Sequence, residues 1–186
     1  MGRLLTVAVL LGATGTASAQ EQTLLSGGIE SGGWGGPVVA FTSINGQFAV
    51  MAGGRGAWLI NSTFGLGGAG YGLTNEIQID PNGPPRQIEM GYGGLDLEVI
   101  VQSDNVIHFT VNTLIGGGAI TPTGGGLADG IFVFQPQANV DVNLTGFMRI
   151  GLGGGYRFVA DVDFSGLTNG MFRSGFGALT FKFGSF

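Results

Sequence analysis

The sequence predicts an all-β chain, a single antiparallel up-and-down β-barrel of about eight strands, and three observations carry that prediction. First, apolar residues recur at every second position. Met148, Ile150, Leu152, Tyr156, Phe158, Ala160, Val162 and Phe164 are interleaved with Arg149, Gly151, Gly153, Gly155, Arg157, Val159, Asp161 and Asp163, and only a strand sends alternate side chains to opposite faces. Second, beyond the N-terminus no segment joins helical apolar spacing to capping residues, while turn sequences recur. Third, glycine makes up 39 of 186 residues and charged residues only 10%. Fourteen phenylalanines argue against disorder, and the glycines follow no three-residue collagen period.

The chain opens MGRLLTVAVLLGATGTASAQ: one arginine, a short apolar run, then Ala17-Ser18-Ala19. This predicts a secretory signal peptide over 1–19, cleaved after Ala19, because the run is shorter than the ~20 residues that cross a bilayer. The barrel domain is then 20–186. It carries six Lys and Arg against twelve Asp and Glu, an acidity that excludes nucleic acid as a partner. With no cysteine, neither a lipid anchor nor disulfides contribute, so burial and hydrogen bonding hold the fold.

Reversals are predicted at Asn45-Gly46, Asn61-Ser62, Ser103-Asp104-Asn105, Thr145-Gly146 and Thr168-Asn169-Gly170, where Asn, Asp and Gly accept positive φ. Polar loops fall at 80–86 (DPNGPPR) and 121–130 (TPTGGGLADG). Eight extended segments remain: 29–44, 47–60, 63–75, 87–101, 105–118, 131–144, 147–164 and 171–186. GLGGAGYGL, MGYGGLDLEV and GLGGGYRFV repeat a glycine cluster with a tyrosine, consistent with one sheet position recurring in several strands where backbones approach closely.

The strands have two unlike faces. Phe132, Phe134, Ala138, Val140, Val142 and Leu144 oppose Val133, Gln135, Gln137, Asn139, Asp141 and Asn143; Leu95, Leu97, Val99 and Val101 oppose Asp96 and Glu98; Ile107, Phe109, Val111 and Ile115 oppose His108, Thr110 and Asn112. A water-facing side is normally studded with Lys and Glu. Here the non-apolar side is mainly Gly, Ala, Ser, Thr, Asn and Gln, with one lysine after the signal peptide. That composition suits the filling of a narrow lumen, leaving the apolar face to lipid.

On the signal peptide, the eight dyad-repeat segments and the aromatic last residue of LTFKFGSF (179–186), residues 20–186 resemble the small eight-stranded outer-membrane barrels of Gram-negative bacteria, of the OmpA and OmpX type. The resemblance implies export to the outer membrane, outer-membrane lipid as surroundings, a structural or interaction role without catalysis, and loops 76–86 and 119–130 as the variable surface for a protein or surface partner. The sequence departs from the type at its end: counting back from Phe186 by twos gives Gly184, Lys182, Thr180 and Ala178, with Leu179, Phe181 and Phe183 in the other phase. A bulge near Gly184 or a degraded insertion signal would account for this.

With the apolar face outward, Arg55, Asp96, Glu98, His108, Asp141, Arg149, Arg157, Asp161 and Asp163 all point inward, as a structural ion-pair network in which arginines bridge carboxylates. No cofactor or metal is expected: Asp161 with Asp163, and Asp96 with Glu98, stand beside arginines that neutralise them. His108 with Thr110 in HFT resembles the H-x-S pair of the outer-membrane lipid A deacylases, with Thr in place of Ser and on the polar face, so an outer-membrane lipid-modifying enzyme using His108 is one alternative. Another is a secreted or periplasmic soluble β-barrel binding a hydrophobic ligand. GLGGAG (65–70) matches a phosphate-binding glycine pattern, but no helix follows it to supply an N-terminus. Trp34, Trp58, Tyr71, Tyr92 and Tyr156 are read as interfacial girdles or as rings packed on glycine.

Overall fold

A computed structural model describes residues 30–79, 87–123, 127–163 and 166–186, which form a closed barrel of eight long antiparallel strands. In chain order these are β1 (Ser31–Ile44), β2 (Gln47–Ile60) and β3 (Phe64–Leu73), then a two-residue strand β4 (Ile77–Gln78) that lies on the start of β5 (Gln87–Val101). There follow β6 (Ile107–Pro122), β7 (Asp129–Thr145), β8 (Met148–Ala160), a one-turn helix α1 (Asn169–Phe172) and β9 (Ser174–Ser185). Each long strand pairs with the next, β3 pairs directly with β5, and β9 closes on β1.

Turn chemistry fixes the connections. Asn45 and Gly46 both have positive φ (51° and 71°), the requirement of a two-residue primed hairpin, and Asn61 and Ser62, also at positive φ, open the three-residue turn 61–63 between β2 and β3. The connections 61–63, 102–106 and 146–147 share one end of the barrel with Ser31 and Ser185, here termed the short-turn end. The strand ends that the longer connections join, Leu73 with Gln87, Pro122 with Asp129 and Ala160 with Ser174, lie at the opposite, loop end.

Register sets the barrel's girth. Following paired residues around the wall leads from Ser31 through Ile60, Phe64, Val99, Val111, Ala138, Gly154 and Gly177 to Phe41, ten residues further along β1 than the starting point. With ordinary strand spacings, eight strands and that stagger give a tilt of about 40°, in a barrel just wide enough for side chains to fill. Some inward positions have no room even for a methyl group. A Cβ on Gly67 would collide with the carbonyl of Gly56, and one on Gly94 with that of Ile115. Glycine there lets neighbouring backbones converge in a tightly curved wall.

Three details differ from the sequence-based expectation. β8 stops at Ala160 because Asp161 takes positive φ (66°), so Asp161, Val162 and Asp163 lie past the strand. The segment leading to β9 holds α1 where only a reversal was expected, and its Phe172 is wholly buried with Leu167 in the barrel's loop-end mouth. This makes 161–173 a third long connection. Finally, β9 has no bulge: Trp34 pairs with Gly184 and Gly33 with Ser185 in unbroken register. Lys182 and Thr180 therefore point inward, Phe183 outward, and Phe186 lies beyond the strand. The predicted signal peptide, the 80–86 loop, Gly124–Gly126 and Phe164 fall outside the described residues.

The outer wall is apolar. Phe41, Phe48, Leu66, Leu97, Val111, Val140, Leu152 and Phe158 are all exposed, Leu152 at 66%. From Met148 to Phe158 the outward residues of β8 cover about 25 Å of barrel height, matching the apolar band of barrels in lipid. Aromatic residues edge this band. Trp58, Phe64, Phe109 and Phe183 ring the short-turn end, and Phe41, Phe48, Phe132, Phe134, Tyr156 and Phe158 the loop end.

Candidate functional site

Two layers fill the interior. The layer nearer the short-turn end is ionic and arises from strand phase: Arg55 of β2, Asp96 and Glu98 of β5, His108, Thr110 and Asn112 of β6, Asp141 of β7 and Lys182 of β9 all point inward, all but Arg55 and Asn112 between two apolar outward neighbours, and each is less than 5% exposed. The Arg55 guanidinium donates from Nε (3.0 Å) and Nη2 (2.7 Å) to Asp96 Oδ2, and Asn112 Nδ2 donates to Asp96 Oδ1 at 2.8 Å. Across the lumen Lys182 Nζ donates to Asp141 Oδ2 at 2.9 Å and stands 3.7 Å from Glu98 Oε2. Arg55 Nη2 also stands 3.7 Å from Glu98 Oε2, so Glu98 joins the two ion pairs. Thr110 Oγ1 donates to Asp141, His108 Nε2 lies 3.8 Å from the same carboxylate, and Trp34 Nε1 donates to Glu98 Oε1 at 3.2 Å.

Arg149 lies at the short-turn mouth, its guanidinium 3.7 Å from the centre of the Phe186 ring. Asp96, Glu98 and Asp141 thus face Arg55, Lys182 and Arg149, three carboxylates and three cations. Charges held out of water are tolerable only when matched in this way.

The second layer, nearer the loop end, is apolar: Ile44, Met51, Ile88, Met90, Ile120, Ile131, Val133, Val159 and Phe172 form one buried cluster with Tyr71 and Tyr92, whose rings stack at 5.3 Å. Arg157 belongs to this layer and not to the ionic one. It is 1% exposed, and its hydrogen bonds run to neutral groups: Nε to Phe172 O (3.0 Å), Nη1 to Met51 Sδ (3.1 Å) and Nη2 to Ser43 O (3.4 Å).

Of the nine residues expected inside, the structure brings Arg55, Asp96, Glu98, His108 and Asp141 together, sets Arg149 at their edge, and places Arg157 apart from them. Asp161 and Asp163 are exposed on the connection after β8, so they do not belong to the interior. Lys182, which joins Glu98 to Asp141, was missed; its signal was FKF, a cation between two phenylalanines of a strand. Trp34, Tyr71 and Tyr92 are interior residues, while Trp58 and Tyr156 are on the outer wall. Among the described residues no group of three or more His, Asp or Glu is placed to hold a metal ion.

A closed eight-stranded antiparallel barrel with an apolar, aromatic-edged outer wall and charges confined inside is the architecture of the small outer-membrane β-barrel proteins, and the fold of this chain is similar to theirs. Neisserial surface protein A superposes with a TM-score of 0.57 at 10% identity, over 86% of this chain and 99% of that one. The N-terminal β-barrel domain of Pseudomonas aeruginosa OprF gives 0.56 at 9% identity, over 83% and 96%. Ail, the attachment invasion locus protein of Yersinia pestis, solved in complex with the heparin analogue sucrose octasulfate, gives 0.55 at 12% identity, over 84% and 98%. At these identities the likeness is one of fold. No protein-family model matches the chain, and no curated protein matches it in sequence.

Proposed function

We propose that this chain is an exported, non-catalytic outer-membrane barrel that spans the bilayer through its eight strands and offers its loop end to a partner outside the cell. The observation that carries this reading is the inverted polarity of the wall. Exposed Phe, Leu, Val and Ile encircle it, while four of the seven Lys and Arg residues of the whole chain, Arg55, Arg149, Arg157 and Lys182, are buried within. Water is a poor solvent for such a wall and hydrocarbon a good one, and a closed barrel leaves no backbone group unpaired in lipid. The same polarity weighs against the soluble ligand carrier, whose outer face would be polar. His108 and Thr110 have no exposed surface, so a lipid substrate does not reach them, and the ionic layer acts as structure.

The test is membrane fractionation with gel mobility. The protein is expected in the outer-membrane fraction, migrating differently before and after boiling; recovery in the supernatant without detergent would overturn the reading. For the partner, charge narrows the choice. Glu76, Glu89, Asp129, Asp161 and Asp163 surround the loop end, with Arg173 as the exposed cation there among the described residues. Ail was solved with a polysulfated ligand; this loop end repels such polyanions. Immobilised heparin is therefore expected not to retain the folded protein at physiological salt.

A further inference from the structure

Arg157 is a guanidinium sealed in the apolar layer without a carboxylate beside it among the described residues. Counting Arg149 at its edge, the ionic layer is balanced without Arg157, which among the described residues leaves one positive charge in excess inside the barrel. An uncompensated charge in such surroundings is expensive, and outer-membrane barrels have polar interiors; neither the charge nor the apolar filling is needed to close the lumen. Together they have the chemistry of an amphiphile site: one fixed cation set among the packed apolar side chains of Ile44, Met51, Met90, Ile120 and Val133. The group seated there is Phe172 of α1. Its carbonyl oxygen takes the Arg157 Nε–H at 3.0 Å and its ring is fully buried, an acceptor oxygen with an apolar tail.

We propose that the loop-end half of the lumen binds an aliphatic carboxylate, with Arg157 as its counter-ion, and that Phe172 occupies the site in its place. A carboxylate would accept two parallel hydrogen bonds from the guanidinium where the carbonyl accepts one, and would neutralise it. Phe172 leaves with a helix of a single turn, which has no side-chain N-cap and no basic residue in its last turn. Besides the burial of Phe172 and Leu167, the segment is held by Asn45 N–H on Met171 O (2.7 Å), Val162 N–H on Asn169 Oδ1 (3.0 Å) and Arg173 Nε–H on Val159 O (2.8 Å), so a ligand competes with Phe172 for one place against these few bonds.

The experiment uses dodecanoate carrying a photoreactive diazirine at its methyl end, added to the mature chain folded in phosphatidylcholine nanodiscs, with the labelled residues located by mass spectrometry. Phe172→Ala is expected to raise labelling of interior residues such as Met51 and Met90 above the wild-type level. Adding Arg157→Gln is expected to lower it by about tenfold or more, the range for losing a hydrogen bond to a charged group. The methyl ester of the probe is expected to label the interior no better in the presence of Arg157 than in its absence. Phe172→Leu takes the place of the alanine variant if the latter fails the boiled-versus-unboiled mobility check. Labelling confined to outward residues such as Leu152 and Phe158 in every variant, or interior labelling that ignores Arg157, would overturn the proposal. Either result leaves the membrane-spanning reading untouched, since that rests on the outer wall and is tested by fractionation.

Discussion

Asp141 shows how much a single interior residue holds. Its carboxylate takes hydrogen bonds from Lys182 and Thr110 and lies beside His108, tying β6, β7 and β9 together at one level of the barrel. Removing one member of a buried pair strands the other, so Asp141→Ala and Asp96→Ala are each expected to lower stability by about 3–5 kcal/mol. Urea unfolding in lipid vesicles measures this. Replacing both partners of one pair, Arg55→Met with Asp96→Leu, is expected to be milder than Asp96→Ala alone, because no unpaired charge remains. At this scale the sequence was informative for a simple reason: a charge between two outward apolar neighbours of a strand has one place to go. Asp161 and Asp163 obeyed the same alternation and ended outside, since alternation says nothing about where a strand stops.

At the scale of the element, the phase of each strand was legible and its ends were not. β5, β6, β7 and β8 present the faces that their alternation predicts. The end of β8 depended on a positive φ at Asp161, and α1 formed because Phe172 and Leu167 found a mouth to bury in, a tertiary cause with no local pattern. In β9 the terminal Phe186 misled the count; the strand follows Phe181 and Phe183, and Phe186 turns under Arg149. Two predictions belong here. Leu152→Arg, at mid-height on the outer wall of β8, is expected to destabilise the barrel in a bilayer by about 2–4 kcal/mol, and Leu144→Arg near the short-turn end by about 0–1 kcal/mol. Equal effects at the two heights would argue against a bilayer around the wall. Gly67→Val is expected to abolish the folded, heat-modifiable band, because the carbonyl of Gly56 stands where its Cβ would be.

For the whole molecule, the two interior layers close the lumen twice. Ion pairs span it near the short-turn end, and packed Ile, Met and aromatic side chains seal it towards the loops. Planar bilayers containing the protein are therefore expected to show no steady ionic conductance, and Phe172→Ala is expected to leave that unchanged because the ionic layer lies below it. By itself the sequence determined the strand count, the antiparallel meander, the apolar outer wall and five of the charges that meet inside, since all of these follow from period-two alternation and turn residues, which are local. Only the tertiary structure decided which charges pair, that Lys182 joins them, and that Arg157 and Phe172 occupy a separate apolar layer. Those outcomes depend on the stagger of eight strands around a closed wall, and a stagger is a relation between distant segments that no stretch of sequence contains.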